Sequence, residues 1–210
     1  MDRLSKVGSK YDLGLAIQGF ITIYGYGRQL SQDGLVYIKP RLPETFTDEQ
    51  RAQYARKIAS TFSVLAKREP AEVGFWTQRG LQIQLYKEAI ANGNYRILEK
   101  DGNIAAILLF RAYKKGSEAE ASAINLVNEA ADFRYIGTDA FTEFLKAFCD
   151  EMKQELGARL IISRKRKGET LLSRILLSVG FREVEADKEP VQDKSGQTSN
   201  LYAIYKKELV

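Results

Sequence analysis

The sequence predicts one α/β domain, and three observations carry that prediction. Short apolar or alternating stretches, which read as strands, are interleaved with segments whose apolar residues recur every three or four positions, which read as helices. The run Ile104-Ala105-Ala106-Ile107-Leu108-Leu109-Phe110 is apolar on both alternating faces, as in a central strand covered on both sides. A length of 210 residues, 44% hydrophobic and 28% charged, suits one domain with a short appendage.

Residues 1–34 carry the weakest pattern. Ile17, Gly19, Ile21 and Ile23 alternate with Gln18, Phe20, Thr22 and Tyr24, which suggests a strand. The stretch Gly25-Tyr26-Gly27-Arg28-Gln29-Leu30 reads as a turn with a faint likeness to a phosphate loop. Leu35–Lys39 is a short strand stopped by Pro40 and Pro43. Thr47 and Gln50 form a capping-box pattern, and Ala55, Ile58, Ala59, Phe62 and Leu65 follow at helical spacing, so a helix is expected over 48–67. A second helix over 74–91, with Leu81, Leu85, Ala89 and Ile90, follows Pro70 and ends at Gly93.

A hairpin comes next: Tyr95–Lys100, the turn Asp101-Gly102, and Ile104–Tyr113. Lys114–Ser117 reads as a turn and Ala121–Asn128 as a third strand. Phe141, Phe144, Leu145, Phe148 and Met152 form the apolar stripe of a helix over 138–156, capped by Gly157. Leu160-Ile161-Ile162 is a buried strand. Thr170–Val179 is a helix closed by Gly180-Phe181, a left-handed cap followed by an apolar contact. A strand at 181–186, a polar loop at 187–200 and a last strand at Leu201–Lys206 complete the chain.

Composition removes several chemistries. With no histidine and one cysteine, Cys149, the chain has no histidine-based triad, no histidine or multi-thiolate metal site and no internal disulfide. No metal is expected, and Cys149 reads as a packed thiol on the helix over 138–156. Acid–base work falls to carboxylates, lysine, tyrosine or the backbone. The formal net charge of +5 favours anionic partners. No signal peptide and no apolar run of membrane-spanning length is seen, so a cytoplasmic protein with no membrane association is expected.

One stretch carries specific chemistry. Arg134-Tyr135-Ile136-Gly137-Thr138-Asp139 lies between a strand and a helix start, where amides without intrahelical partners and the helix dipole favour a phosphate. It matches the Arg/Gln-x-x-Gly-x-Gly/Ala turn of the GNAT superfamily of N-acyltransferases. Gly180-Phe181, about 45 residues downstream, matches the Gly-Phe pair that ends a later helix in that family. Over residues 35–210 the element order resembles the GNAT fold, with residues 1–34 an N-terminal extension outside it. The resemblance implies a central mixed sheet with helices on both faces.

It also implies acetyl-CoA or another acyl-CoA as co-substrate. The pyrophosphate would lie on Arg134, Tyr135, Ile136, Gly137 and Thr138, with Arg164 nearby, and the pantetheine arm would pair along Ile124–Asn128. An amine acceptor held near Asn125–Glu129 would attack the thioester. Backbone amides of Val127 or its neighbours would stabilise the oxyanion, and a carboxylate such as Glu129 would take the proton, directly or through water. Two positions depart from the pattern. Asp139 replaces the last small residue of the turn, and Leu176 stands where the family often has a tyrosine.

Arg164-Lys165-Arg166-Lys167 reads as a basic turn for phosphates of a coenzyme or of nucleic acid, or for solubility alone. Three functions therefore stand open. One is an acyl-CoA-dependent N-acyltransferase. Another is a non-catalytic GNAT-like protein that binds nucleic acid or a protein partner through its basic surface. The last is a remote acyl-transfer branch using S-adenosylmethionine or an acyl-carrier protein.

Overall fold

The computed structural model describes residues 10–17, 21–31, 34–67, 88–114, 121–132, 134–166, 170–184 and 202–209. Its described elements are β1 (Lys10–Ile17), β2 (Ile21–Gln29), β3 (Leu35–Pro40), α1 (Asp48–Lys67), β4 (Tyr95–Lys100), β5 (Asn103–Lys114), β6 (Ala121–Ala131), α2 (Asp139–Leu156), β7 (Leu160–Arg166), α3 (Thr170–Ser178), β8 (Arg182–Val184) and β9 (Tyr202–Glu208). The strands form one mixed sheet in the order β1-β2-β3-β4-β5-β6-β7-β9-β8. Among the described strands, only β6 and β7 run parallel. Helices cover both faces, as the apolar run in β5 requires: Ala105, Ala106, Leu108 and Phe110 pack with α2 and α3, while Ile104, Ile107 and Leu109 pack with α1.

Local chemistry sets the helix ends. The Thr47 hydroxyl accepts from the Gln50 amide at 3.2 Å, and the Thr47 amide donates to the Gln50 side chain at 2.8 Å, which is the expected capping box. At the far end of α3, Gly180 has φ +91°, the Phe181 amide donates to the Leu176 carbonyl at 3.0 Å, and Phe181 is buried.

Three readings are corrected. The GYGRQL stretch is not a turn: Gly25, Tyr26, Gly27, Arg28 and Gln29 lie in β2 and pair with β3. The stretch read as one strand at 17–24 is instead divided between β1, which ends at Ile17, and β2, which starts at Ile21; the two pair antiparallel and extend the sheet beyond β3. The basic run does not form a turn either. Arg164, Lys165 and Arg166 belong to β7 and pair with Ile204, Ala203 and Tyr202 of β9. Short apolar content hid the true length of that strand. Of the expected helix over 74–91, residues 88–91 are helical, and residues 68–87 lie outside the described residues, as do Lys167 and 185–201.

Candidate active site

The site begins where β6 and β7 separate. Their parallel pairing covers only Ile124↔Ile161, Asn125↔Ile162 and Leu126↔Ser163. Beyond Leu126, β6 continues to Ala131 against β5, while β7 continues to Arg166 against β9. Five further residues at about 3.3 Å each make an open wedge roughly 16 Å long. A register shift falls at the wedge's apex. Phe110 pairs with Leu126 and Leu109 with Asn128, so Val127 has no partner on β5 and, past the last β7 pair, none there. Such a bulge takes one residue out of the ladder.

Asn125 is half-buried. Its neighbours Ile124 and Leu126 pack on the α2 side, so alternation turns it to the α1 side. Glu129 is a strand residue opposite Leu108. The backbone thus brings Asn125, Val127 and Glu129 to one end of one strand.

That strand leads directly into the turn. Asp132, 2% exposed, organises it: its carboxylate accepts from the Arg134 amide at 3.0 Å, and Arg134 Nε and Nη2 each donate to it at 2.9 Å. Its carbonyl accepts from Tyr135 and Ile136 amides at 2.8 and 3.2 Å. The fork hydrogen bonds to Asp132 and its charge hold the Arg134 guanidinium above its usual pKa. The guanidinium also sits 5.5 Å over the Tyr135 ring. Arg134 is thus clipped to Asp132 within the turn. Ile136 is buried and anchors the turn in the core.

Gly137 has φ +79°, and a Cβ there would come within 3.0 Å of Leu171 Cδ1. The backbone is left-handed and pressed against the start of α3, which only glycine accommodates without strain. Thr138 is the N-cap residue of α2, yet its hydroxyl donates to the Tyr135 carbonyl at 2.6 Å instead of capping the helix. The Thr142 amide is the first to be satisfied, by the Thr138 carbonyl at 3.2 Å. Among the described residues, the amides of Gly137, Asp139, Ala140 and Phe141 are left without a partner. Asp139 is exposed.

The end of β7 lies at the same end of the sheet, because β6 and β7 are parallel and α3 begins against Gly137. Arg164 is exposed, whereas Lys165 is 4% exposed. Strand alternation therefore splits the basic run between two faces. Leu176 is buried in the core and offers no acid. Cys149 is buried, and burial pushes its thiol up to about 11, as a packed thiol requires. No described helix is long and apolar enough to cross a membrane, and no described group of three acidic or cysteine side chains could hold a metal ion.

Two participants were not singled out from the sequence. The Asp132-x-Arg134 spacing was a legible signal of a side chain bonding the backbone two residues on. Ser163, fully buried with no partner for its hydroxyl among the described residues, closes the wedge at the last β6–β7 pair. A lone serine after Leu-Ile-Ile gave no comparable signal.

No protein-family model and no curated protein matches the chain. Solved structures do. An acetyltransferase of the GNAT family from Streptococcus pneumoniae is 13% identical at a TM-score of 0.57, over 83% of this chain and 99% of that one. A proposed acetyltransferase from Salmonella typhimurium, solved with its cofactor acetyl-CoA, is 14% identical at 0.55, over 84% and 95%. The Drosophila melanogaster polyamine N-acetyltransferase is 10% identical at 0.56, over 75% and 96%. The chain has the fold of the GNAT acetyltransferases, with a sequence only 10–14% identical to these three.

Proposed function

We propose that this chain is an acyl-CoA-dependent N-acyltransferase that transfers acetyl to an amine by direct attack on the thioester. The observation that carries the reading is the continuity of bulge, wedge and turn. A strand residue without ladder partners, Val127, stands at one end, and four unpartnered amides at a helix start stand at the other. Amides in this arrangement suit an oxyanion and a pyrophosphate joined by an extended arm. The Salmonella neighbour, solved with acetyl-CoA, supports the same co-substrate.

The co-substrate supplies an activated thioester. Gly137 and the amides of 139–141 hold its pyrophosphate, with Arg134 and Asp132 keeping the turn in shape and Arg164 adding positive charge beside it. The exposed edge of β6 holds the pantetheine amides. Asn125, on the α1 side, orients the acceptor amine. The amine nitrogen forms the C–N bond while the Val127 amide receives the carbonyl oxygen's charge. The C–S bond then breaks, Glu129 takes the proton from the ammonium, and the thiolate gains its proton from water, since Leu176 cannot donate one.

The test is a thermal-shift series with acetyl-CoA, longer acyl-CoAs and S-adenosylmethionine. Acetyl-CoA is expected to raise Tm by several degrees, as binding to the native state must. Both Gly137→Glu and Thr138→Glu are expected to abolish the shift. The second variant sits on an exposed side chain, so it separates lost binding from lost folding. No response to any CoA compound at millimolar concentration sinks the reading.

A further inference from the structure

A second cavity, of about 260 Å3, opens at the other end of α2, between that helix and β2–β3. Glu151 lies twelve residues along α2 from its start, so at 1.5 Å per residue the cavity is about 18 Å from the phosphate turn. None of the groups assigned to acyl transfer lines it.

Its floor is a saturated ion pair. Arg96, 3% exposed, donates to both oxygens of Glu151, and the Tyr37 hydroxyl donates to the same carboxylate at 2.5 Å. On the rim, Lys39 pairs with Glu155 and lies 3.7 Å from Glu151. Both carboxylates of the cavity are thus neutralised. Arg28 is different. Its guanidinium sits 5.3 Å over the Tyr37 ring and gives one long hydrogen bond, 3.4 Å, to the Ala147 carbonyl. It has no carboxylate partner among the described residues. A guanidinium has five donors, so most of its capacity faces the cavity unspent. Among the described residues, three cations, Arg28, Lys39 and Arg96, stand around two carboxylates, Glu151 and Glu155, so this set carries one more positive than negative charge.

The remaining walls include the rings of Tyr26 and Tyr37. A volume below the ~300–1,000 Å3 of ordinary ligand pockets limits the occupant to a small molecule. We propose that this cavity is a binding site for a small, flat organic carboxylate, whose charge is received by Arg28 and whose body lies against Tyr26 and Tyr37. A bidentate guanidinium–carboxylate contact supplies orientation and charge together. An amine would meet carboxylates already matched by cations, Glu151 by Arg96 and Glu155 by Lys39.

Calorimetric titration of the full chain with benzoate tests the site, with acetate and benzylamine as controls for the ring and the charge. Benzoate is expected to bind one to one, and acetate and benzylamine far more weakly. Arg28→Met is expected to weaken benzoate binding about tenfold or more, the worth of a charge-assisted hydrogen bond. Gln154→Trp, on an exposed rim residue, is expected to block the mouth and abolish binding with Tm retained. It keeps the test decisive should Arg28→Met fail to fold. Absence of benzoate binding at millimolar concentration, binding unchanged in a folded Arg28→Met or in Gln154→Trp, or benzylamine binding as tightly as benzoate each overturns the proposal. The acetyl-CoA thermal shift should survive in both variants, so failure here and failure of the acyltransferase reading are separable.

Discussion

The two ends of α2 are built on opposite rules. At its start, the amides of Gly137, Asp139, Ala140 and Phe141 have no partners among the described residues, the cap hydroxyl of Thr138 bonds elsewhere, and Gly137, Thr138 and Asp139 are exposed. Toward its end, Glu151 is 6% exposed and takes hydrogen bonds from both Arg96 and Tyr37. Burial, and then the charge of Glu151, holds the Tyr37 phenol well above its ordinary pKa. Burial also opposes the charge on Arg96, but its hydrogen bonds to Glu151 and the charges around it more than offset that, and its pKa is raised. One end leaves donors unspent for a ligand. The other engages its buried carboxylate, Glu151, with Arg96 and Tyr37 inside the fold. Substitutions at the two ends should therefore read out in different experiments.

The largest effect is expected at the buried end. Arg96→Met leaves the Glu151 carboxylate in the core without its main partner, and breaking such a pair costs about 3–5 kcal/mol. A urea titration should show the midpoint falling with little change in slope. Arg96→Met combined with Glu151→Met should recover most of the loss, because a buried pair replaced by apolar side chains of similar volume is often nearly neutral. A double variant as unstable as the single one would show that Tyr37 and Lys39, not the pair, dominate.

A smaller effect separates two glycines. Gly180 has φ +91°, but the nearest atom to a Cβ there is Lys207 Nζ at 3.8 Å, so Gly180→Ala meets only backbone strain, about 1–2 kcal/mol. At Gly137 the Cβ also meets Leu171 Cδ1 at 3.0 Å, so Gly137→Ala should lower the urea midpoint further. Only Gly137→Ala should also weaken acetyl-CoA, since only that glycine borders the open amides. Equal costs at both positions would mean that α3 yields easily to the turn.

The same contrast explains what could be read without coordinates. Caps, hairpins and helix stripes depend on neighbours within a few residues, and the Thr47–Gln50 box, the Asp101-Gly102 turn and the Gly180-Phe181 cap all stand where the sequence put them. The helix start at Arg134–Thr138 was legible for the same reason. What escaped depends on partners far along the chain. Gly25, Gly27 and Arg28 look like a turn until β1 and β3 flank them. Arg164–Arg166 look like a loop until β9 supplies their ladder. Glu151 reads as one more polar position of an amphipathic helix, and only the fold brings Arg96, 55 residues away, against it. The bulge at Val127 is set by the register between β5 and β6, which no local pattern specifies.

The gentlest perturbation decides what Arg134 does. Its guanidinium is exposed, but both of its directed bonds go to Asp132. If the clip is its role, Arg134→Met and Asp132→Asn loosen the same turn and weaken acetyl-CoA by similar, several-fold amounts. Neither should change the salt dependence of binding much, because neither removes a charge that faces the phosphates. If Arg134 is instead a direct phosphate ligand, the outcomes diverge. Arg134→Met would then weaken binding and flatten its salt dependence, while Asp132→Asn would free the guanidinium and strengthen binding. The geometry favours matched losses, and calorimetric titrations of both variants at low and high salt will distinguish the two. Matched losses would mean that the open end of α2 binds through its backbone, with side chains only holding that backbone in place.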